Sequence, residues 1–111
     1  MATFSVSVTR DGDATILNLS GELDIASVPE LREVATAELD RPECRRIVLD
    51  LADLNFLDST GLGCWVEIRS QAAAQGKALM IRSVPLTVQR ILQIGGLFEM
   101  FTDGISGSTS P

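Results

Sequence analysis

The stretch Asp58-Ser59-Thr60-Gly61-Leu62-Gly63 packs a carboxylate, two hydroxyls and two glycines into consecutive positions. Ahead of it runs Ile47-Val48-Leu49-Asp50-Leu51, an apolar segment that suits a strand covered on both faces in a parallel sheet. A helical pattern begins near Leu62. Asp, Ser and Thr at such a junction start helices, because their oxygens accept the orphan amide hydrogens of the first turn. Ser59 and Thr60 therefore sit at the positive end of a helix dipole, on a turn that the strand delivers to the sheet's edge. That place suits an anion, or a hydroxyl that becomes one. Capping is the plainer use of these residues. Gly61 and Gly63 count against it, since each costs about 1 kcal/mol relative to Ala inside a helix. Glycine there lets another backbone approach, and a docking partner or ligand explains the cost.

Competing chemistries fit less well. The pattern is neither a Walker motif nor Gly-x-Gly-x-x-Gly, and no Lys follows it, so nucleotide binding is not expected. Asp24, Asp50, Asp53 and Asp58 suggest a metal or acid–base cluster, but Asp50 falls within a strand and Asp53 in a turn around residues 53–56. Solvated or capping roles suit them better. The chain has no His, which removes the usual general base and the commonest metal ligand. Trp65 reads as core. Without a second polar constellation the expectation is a protein that is not an enzyme and carries no cofactor or metal.

The whole chain sets further bounds. Its 111 residues suit one domain, and a hydrophobic share of 45% argues against wholesale disorder. Nine Lys+Arg against fifteen Asp+Glu give a net charge of −6, which repels a nucleic-acid backbone. Arg45-Arg46 is too short to form a basic patch. Cys44 and Cys64 are not spaced as a Cys-x-x-Cys pair and read as reduced and structural. No signal-peptide core and no apolar run of membrane-spanning length occurs. A cytoplasmic protein with neither nucleic-acid nor membrane partners is expected.

Periodicity then lays out the elements that position the motif. Residues 3–9 alternate as a half-exposed strand, with Phe4, Val6 and Val8 on one face. A turn at Asp11-Gly12-Asp13 leads to a second strand over residues 15–19, then a loop from Ser20 to Asp24. Ser27 is expected to cap a helix with Glu30 as its capping-box partner and Pro29 in the first turn. Val28, Leu31, Val34, Ala35 and Leu39 form its buried stripe, and Glu30, Arg32, Glu33 and Glu38 face water. A third strand spans residues 45–51. A helix from Ser59 to about Gln75 presents Leu62, Trp65, Val66, Arg69 and Ala73, widened by Ile68 and Ala72. A strand at 77–82 follows, then a helix from Pro85 with Leu86, Val88, Ile91 and Leu92 apolar, and a short strand at 97–101. Residues 1–104 read as the domain and 105–111, rich in Ser and Gly, as a flexible tail. The order predicts an α/β layer fold, in which active loops gather at the carboxyl ends of the parallel strands. Residues 21–27 and 53–63 should meet there.

Gly21-Glu22-Leu23-Asp24, Ile47-Val48-Leu49-Asp50-Leu51 and Phe56-Leu57-Asp58-Ser59-Thr60-Gly61-Leu62-Gly63 together resemble the bacterial anti-sigma factor antagonists. These are small stand-alone proteins of the STAS domain class (sulphate transporter and anti-sigma antagonist). The similarity runs from Thr3 to Phe101 and takes in Gly96-Leu97-Phe98. It implies a single STAS-like domain: a mixed sheet with one antiparallel edge strand and three or four helices. It also implies a partner switch. Members of the family bind an anti-sigma factor that is a serine-protein kinase and so release a sigma factor. The kinase phosphorylates the Ser of this motif, which abolishes binding, and a serine phosphatase restores it. Carried over, Ser59 is the acceptor, and Asp24, Asp58, Ser59, Thr60, Gly61, Leu62 and Gly63 form the partner-binding surface. The family usually ends in a further helix, and residues from Asp103 onward are too polar and Gly/Ser-rich to supply it. Two other readings stay open: a STAS scaffold subunit in a stressosome-like or transporter-associated assembly, and a small-ligand binder at the Ser59 helix end.

Overall fold

The computed structural model describes residues 3–94, 96, 97, 100 and 101. Among these residues four strands and three helices run in the order β1 (Ser5–Asp11), β2 (Ala14–Leu23), α1 (Val28–Leu39), β3 (Arg46–Leu57), α2 (Ser59–Ala74), β4 (Ala78–Arg82) and α3 (Leu86–Ile94). The strands lie in that order across one sheet. β1 pairs antiparallel with β2, while β2–β3 and β3–β4 are parallel. This is the expected mixed α/β sheet with one antiparallel edge strand. The tail expected at 105–111 lies outside the described residues.

Alternation along the strands explains where the core sits. Leu17, Leu19, Ile47, Leu49, Leu51, Leu79 and Ile81 are buried and join one apolar cluster with Leu31, Ala35 and Leu39 of α1 and Trp65, Ile68 and Ala72 of α2. The intervening positions form another register row, Asn18–Asp50–Arg82, across three strands. There Arg82 Nε donates to Asp50 Oδ2 at 2.8 Å. Burial alone would raise the Asp50 pKa. The Arg82 guanidinium and the Ala52 amide outweigh it, and the carboxyl stays below its ordinary range.

Two strands run further than their sequences suggest. The loop expected at Ser20–Asp24 is strand through Leu23, and the turn expected at Asp53–Phe56 is strand through Leu57. The cause is mutual pairing: Ser20, Gly21, Glu22 and Leu23 align with Asp53, Leu54, Phe56 and Leu57. Register shifts between Asn18 and Ser20 and between Gly21 and Glu22 break the two-residue alternation. Leu51, Leu54 and Leu57 are then buried at every third position, a pattern that does not read as strand. Gly21 makes one of these irregularities possible. It holds φ +92°, and a Cβ there would fall 1.7 Å from the Thr3 carbonyl oxygen.

Three further expectations need correction. The Ser27–Glu30 capping box does not form, because Ser27 Oγ turns back and donates to the Glu22 carbonyl at 2.8 Å. Glu38 does not face water but is 7% exposed. Arg10 of β1 grips it with two bonds, at 3.2 and 2.9 Å, and Thr15 Oγ1 donates to it at 3.3 Å. A buried carboxylate is tolerable only with such partners. Last, no strand occurs at 97–101 among the described residues: Met100 and Phe101 are helical. Phe101 is fully buried against Trp65, ring centroids 5.8 Å apart and planes at 77°, the edge-to-face arrangement that aromatic quadrupoles favour.

Smaller offsets follow from packing. The face of α2 that meets the sheet is Gly61, Cys64, Trp65, Ile68 and Ala72, with Ala73 exposed. In α3 only Val88 and Leu92 are buried, while Leu86 and Ile91 are exposed.

Candidate functional site: the start of α2

Residue by residue, the start of α2 divides structural from free groups. Asp58, with φ −109° and ψ −176°, is the N-cap, and its Oδ1 accepts from the Gly61 amide at 2.9 Å. Its carbonyl accepts from the Leu62 amide at 3.0 Å. Ser59 and Thr60 thus hold the first two helical positions and are both exposed. Neither hydroxyl has a hydrogen-bond partner among the described residues. Their amides, first in the helix, have no intrahelical acceptor. Because Asp58 is the cap, Ser59 is not one.

The loop after β2 meets this helix start, as the topology requires. The Asp58 amide donates to the Leu23 carbonyl at 3.3 Å, and Leu23 and Leu57 are register partners. Gly61 is buried, and a Cβ on it would lie 2.7 Å from Leu57 Cδ1 and 2.9 Å from Leu23 Cγ. Its bareness therefore lets α2 close on the sheet, which corrects the expectation that Gly61 makes room for a partner. Gly63 is the open one: it is exposed, and a Cβ on it would meet nothing within 4 Å. Leu62 is half-buried and packs on the core.

Asp24 is half-buried rather than exposed. Its Oδ1 accepts from the amides of Ala26 and Ser27 at 3.0 and 3.2 Å, and its own amide donates to Ser27 Oγ at 2.9 Å. Its carbonyl accepts from the amides of Ser27 and Val28, both at 3.0 Å. The carboxylate thus builds the turn that launches α1.

Two site residues are not evident from the sequence. Ile25, at the tip of the Asp24 turn, is 74% exposed, and Phe56, beside Glu22, is 48% exposed. A lone apolar residue amid Asp, Ala and Ser is the available signal for Ile25; Phe56 is absorbed into an expected turn. Residues 20–27 and 52–63 hold Glu22, Asp24, Asp53 and Asp58 and no Lys or Arg. The surface is acidic with apolar points, a fit for a basic partner.

The chemistry of the site is that of a free alcohol at a helix N-terminus. Cys64, one turn on, offers no nucleophile, since burial pushes its thiol up to about 11. Among the described residues no group of three His, Cys, Asp or Glu is placed to hold a metal ion. No described helix is long and apolar enough to cross a membrane.

Known proteins resemble this chain in sequence and in fold. The STAS domain family model matches residues 5–109. The chain is 34% identical over 84 residues to the anti-sigma-B factor antagonist of Staphylococcus aureus strain NCTC 8325, covering 76% of this chain and 77% of that one. An anti-sigma factor antagonist from Mycobacterium paratuberculosis superposes with a TM-score of 0.79 at 20% identity, covering 89% of this chain and 83% of that one. The antagonist SpoIIAA in its unphosphorylated form gives 0.73 at 21% identity, over 97% and 100% of the two chains. With a family match over nearly its whole length and a relative 34% identical across three quarters of it, the chain belongs to the STAS domain family.

Proposed function

We propose that this chain is an anti-sigma factor antagonist: it binds an anti-sigma factor that is a serine-protein kinase and is switched off by phosphorylation of Ser59. A serine phosphatase resets it. The observation that carries the reading is the division of labour at α2, where Asp58 caps the helix and leaves the Ser59 hydroxyl exposed and unengaged. The kinship with the S. aureus anti-sigma-B factor antagonist supports the choice of partner.

The physics of the switch follows from place. Phosphate adds about −1.5 to −2 charges next to Asp58, on a surface already acidic. Free first-turn amides and the helix dipole accommodate the group, so the fold survives it. The partner that closes over Gly63 and Thr60 meets bulk in its path, and this steric exclusion outweighs the attraction of its basic groups for the added charge. A penalty of roughly 3 kcal/mol lowers affinity more than a hundredfold. The protein acts by binding, in the cytoplasm, and catalyses nothing itself.

Incubation with ATP and each serine-kinase anti-sigma factor of the source genome, followed by peptide mass spectrometry, tests this directly. One phosphate on Ser59, absent from Ser59→Ala, is the expected result. No incorporation with any of them refutes the switch and favours an unmodified scaffold.

A further inference from the structure

The loop between β2 and α1 carries a conflict between charge and geometry. Asp24 brings a negative charge to a surface proposed to meet a basic partner, which invites a direct ion pair. Its Oδ1, however, is spent on the amides of Ala26 and Ser27. Ser27 tightens the same turn from the other side, accepting from the Asp24 amide at 2.9 Å and donating to the Glu22 carbonyl at 2.8 Å. A turn of four residues is thereby fixed by hydrogen bonds at both ends. At its tip stands Ile25, 74% exposed although it is a large aliphatic side chain. Leu23, two residues before Ile25, bonds to Asp58 and abuts Gly61, so the turn is anchored to the helix that begins at Ser59.

We infer that Asp24 is a positioning residue and that Ile25 is the apolar anchor of the loop in the complex with the anti-sigma factor. This rests on the function proposed above. Rigid presentation matters because a side chain already held in its bound position loses little entropy on docking. An anchor gains its energy when a partner pocket buries it and the contacts around it exclude water, and Ile25 stands free for that. The partner's complementary feature is an apolar pocket with basic groups at its rim. The acidic charge of the surface then governs encounter rate and salt dependence more than the strength of the final contact.

Asn separates the two roles of Asp24, because its side-chain oxygen accepts the same two amides without the charge. Affinity is measured by calorimetry against each purified serine-kinase anti-sigma factor of the source genome, with a non-hydrolysable ATP analogue so that no phosphate is transferred. Asp24→Asn is expected to bind within about threefold of wild type, and Asp24→Ala and Ile25→Ala at least tenfold more weakly. Amide exchange in the free protein supplies a readout that needs no partner. The Ala26 amide, which donates to the carboxylate, stays protected in Asp24→Asn and loses protection in Asp24→Ala, while Ser27 keeps its bond to the Asp24 carbonyl in both. Asn binding as poorly as Ala, with protection retained, overturns the positioning role in favour of a direct ion pair. Wild-type affinity in Ile25→Ala overturns the anchor. A wild-type protein that binds none of these factors overturns the proposed function, and this inference with it, and is distinguished from the other failures by that control.

Discussion

Gly61 lies so close to Leu23 that a Cβ would stand 2.9 Å from Leu23 Cγ and 3.0 Å from the Leu23 carbonyl oxygen. That approach joins the loop after β2 to the helix that begins at Ser59. The neighbours include backbone, which cannot swing aside as a flexible side chain would.

Gly61→Ala should therefore destabilise the fold. Overpacking costs about 1–3 kcal/mol, offset by up to about 1 kcal/mol of helix propensity. Gly63→Ala meets open space and should stabilise by up to about 1 kcal/mol. Urea unfolding of the two variants checks the contrast; equal effects would contradict the close packing at Gly61.

The capping assignment predicts a second contrast. Asp58→Ala should cost about 1 kcal/mol, the usual loss for an N-cap that accepts an amide bond. Ser59→Ala should stay within about 0.5 kcal/mol of wild type, as exposed positions do. Thermal unfolding followed by circular dichroism decides it. The reverse order would make Ser59 the cap and remove its claim to be a free hydroxyl.

How far the sequence discloses such things varies along the chain. β4, α1 and α2 are legible to within a residue or so, because apolar spacing marks them, Asp40-Arg41-Pro42 ends α1 and Gly76 separates α2 from β4. The antiparallel edge pair follows from the single hairpin, and the parallel pairing of the rest from the alternation of strand and helix. The strand ends at 20–23 and 53–57 are not legible, since each is strand only because the other pairs with it across two register shifts. The same holds for Glu38, whose partners Arg10 and Thr15 lie 28 and 23 residues away. At the site, the motif points to Ser59, but which of Asp58, Ser59 and Thr60 caps the helix is a matter of backbone angles. Ile25 stays hidden because exposure is a property of the assembled surface.

Glu38 makes stability depend on pH. The hydrogen bond from Arg10 holds its carboxyl below the usual range, helped by the charges of Arg10 and Arg41 and opposed by burial. As pH falls below about 4.5, the carboxyl's ordinary value, the unfolded chain takes up a proton that the folded chain still refuses. Stability from this group is thus fully present above that value and lost as pH drops through the depressed folded one. Urea midpoints between pH 6 and 3 should fall more steeply for wild type than for Glu38→Gln. Parallel curves would show that the carboxylate carries no such linkage.

Phe101 ties the end of the described chain to α2. It is fully buried edge-on to Trp65. Phe101→Ala should cost about 3–5 kcal/mol, the range for emptying a buried aromatic site. Trp65 is the only tryptophan, so its fluorescence should shift as well. An unchanged spectrum with unchanged stability would show that the pair does not form.

The central claim is that a phosphate on Ser59 turns binding off while leaving the fold intact. Its most direct test is calorimetric titration of a serine-kinase anti-sigma factor of the source genome with unmodified and stoichiometrically phosphorylated protein, each checked by circular dichroism. The switch predicts superimposable spectra and an affinity more than a hundredfold lower for the phosphorylated form. Equal affinities would contradict it and leave Ser59 an exposed first-turn serine with no part in a switch.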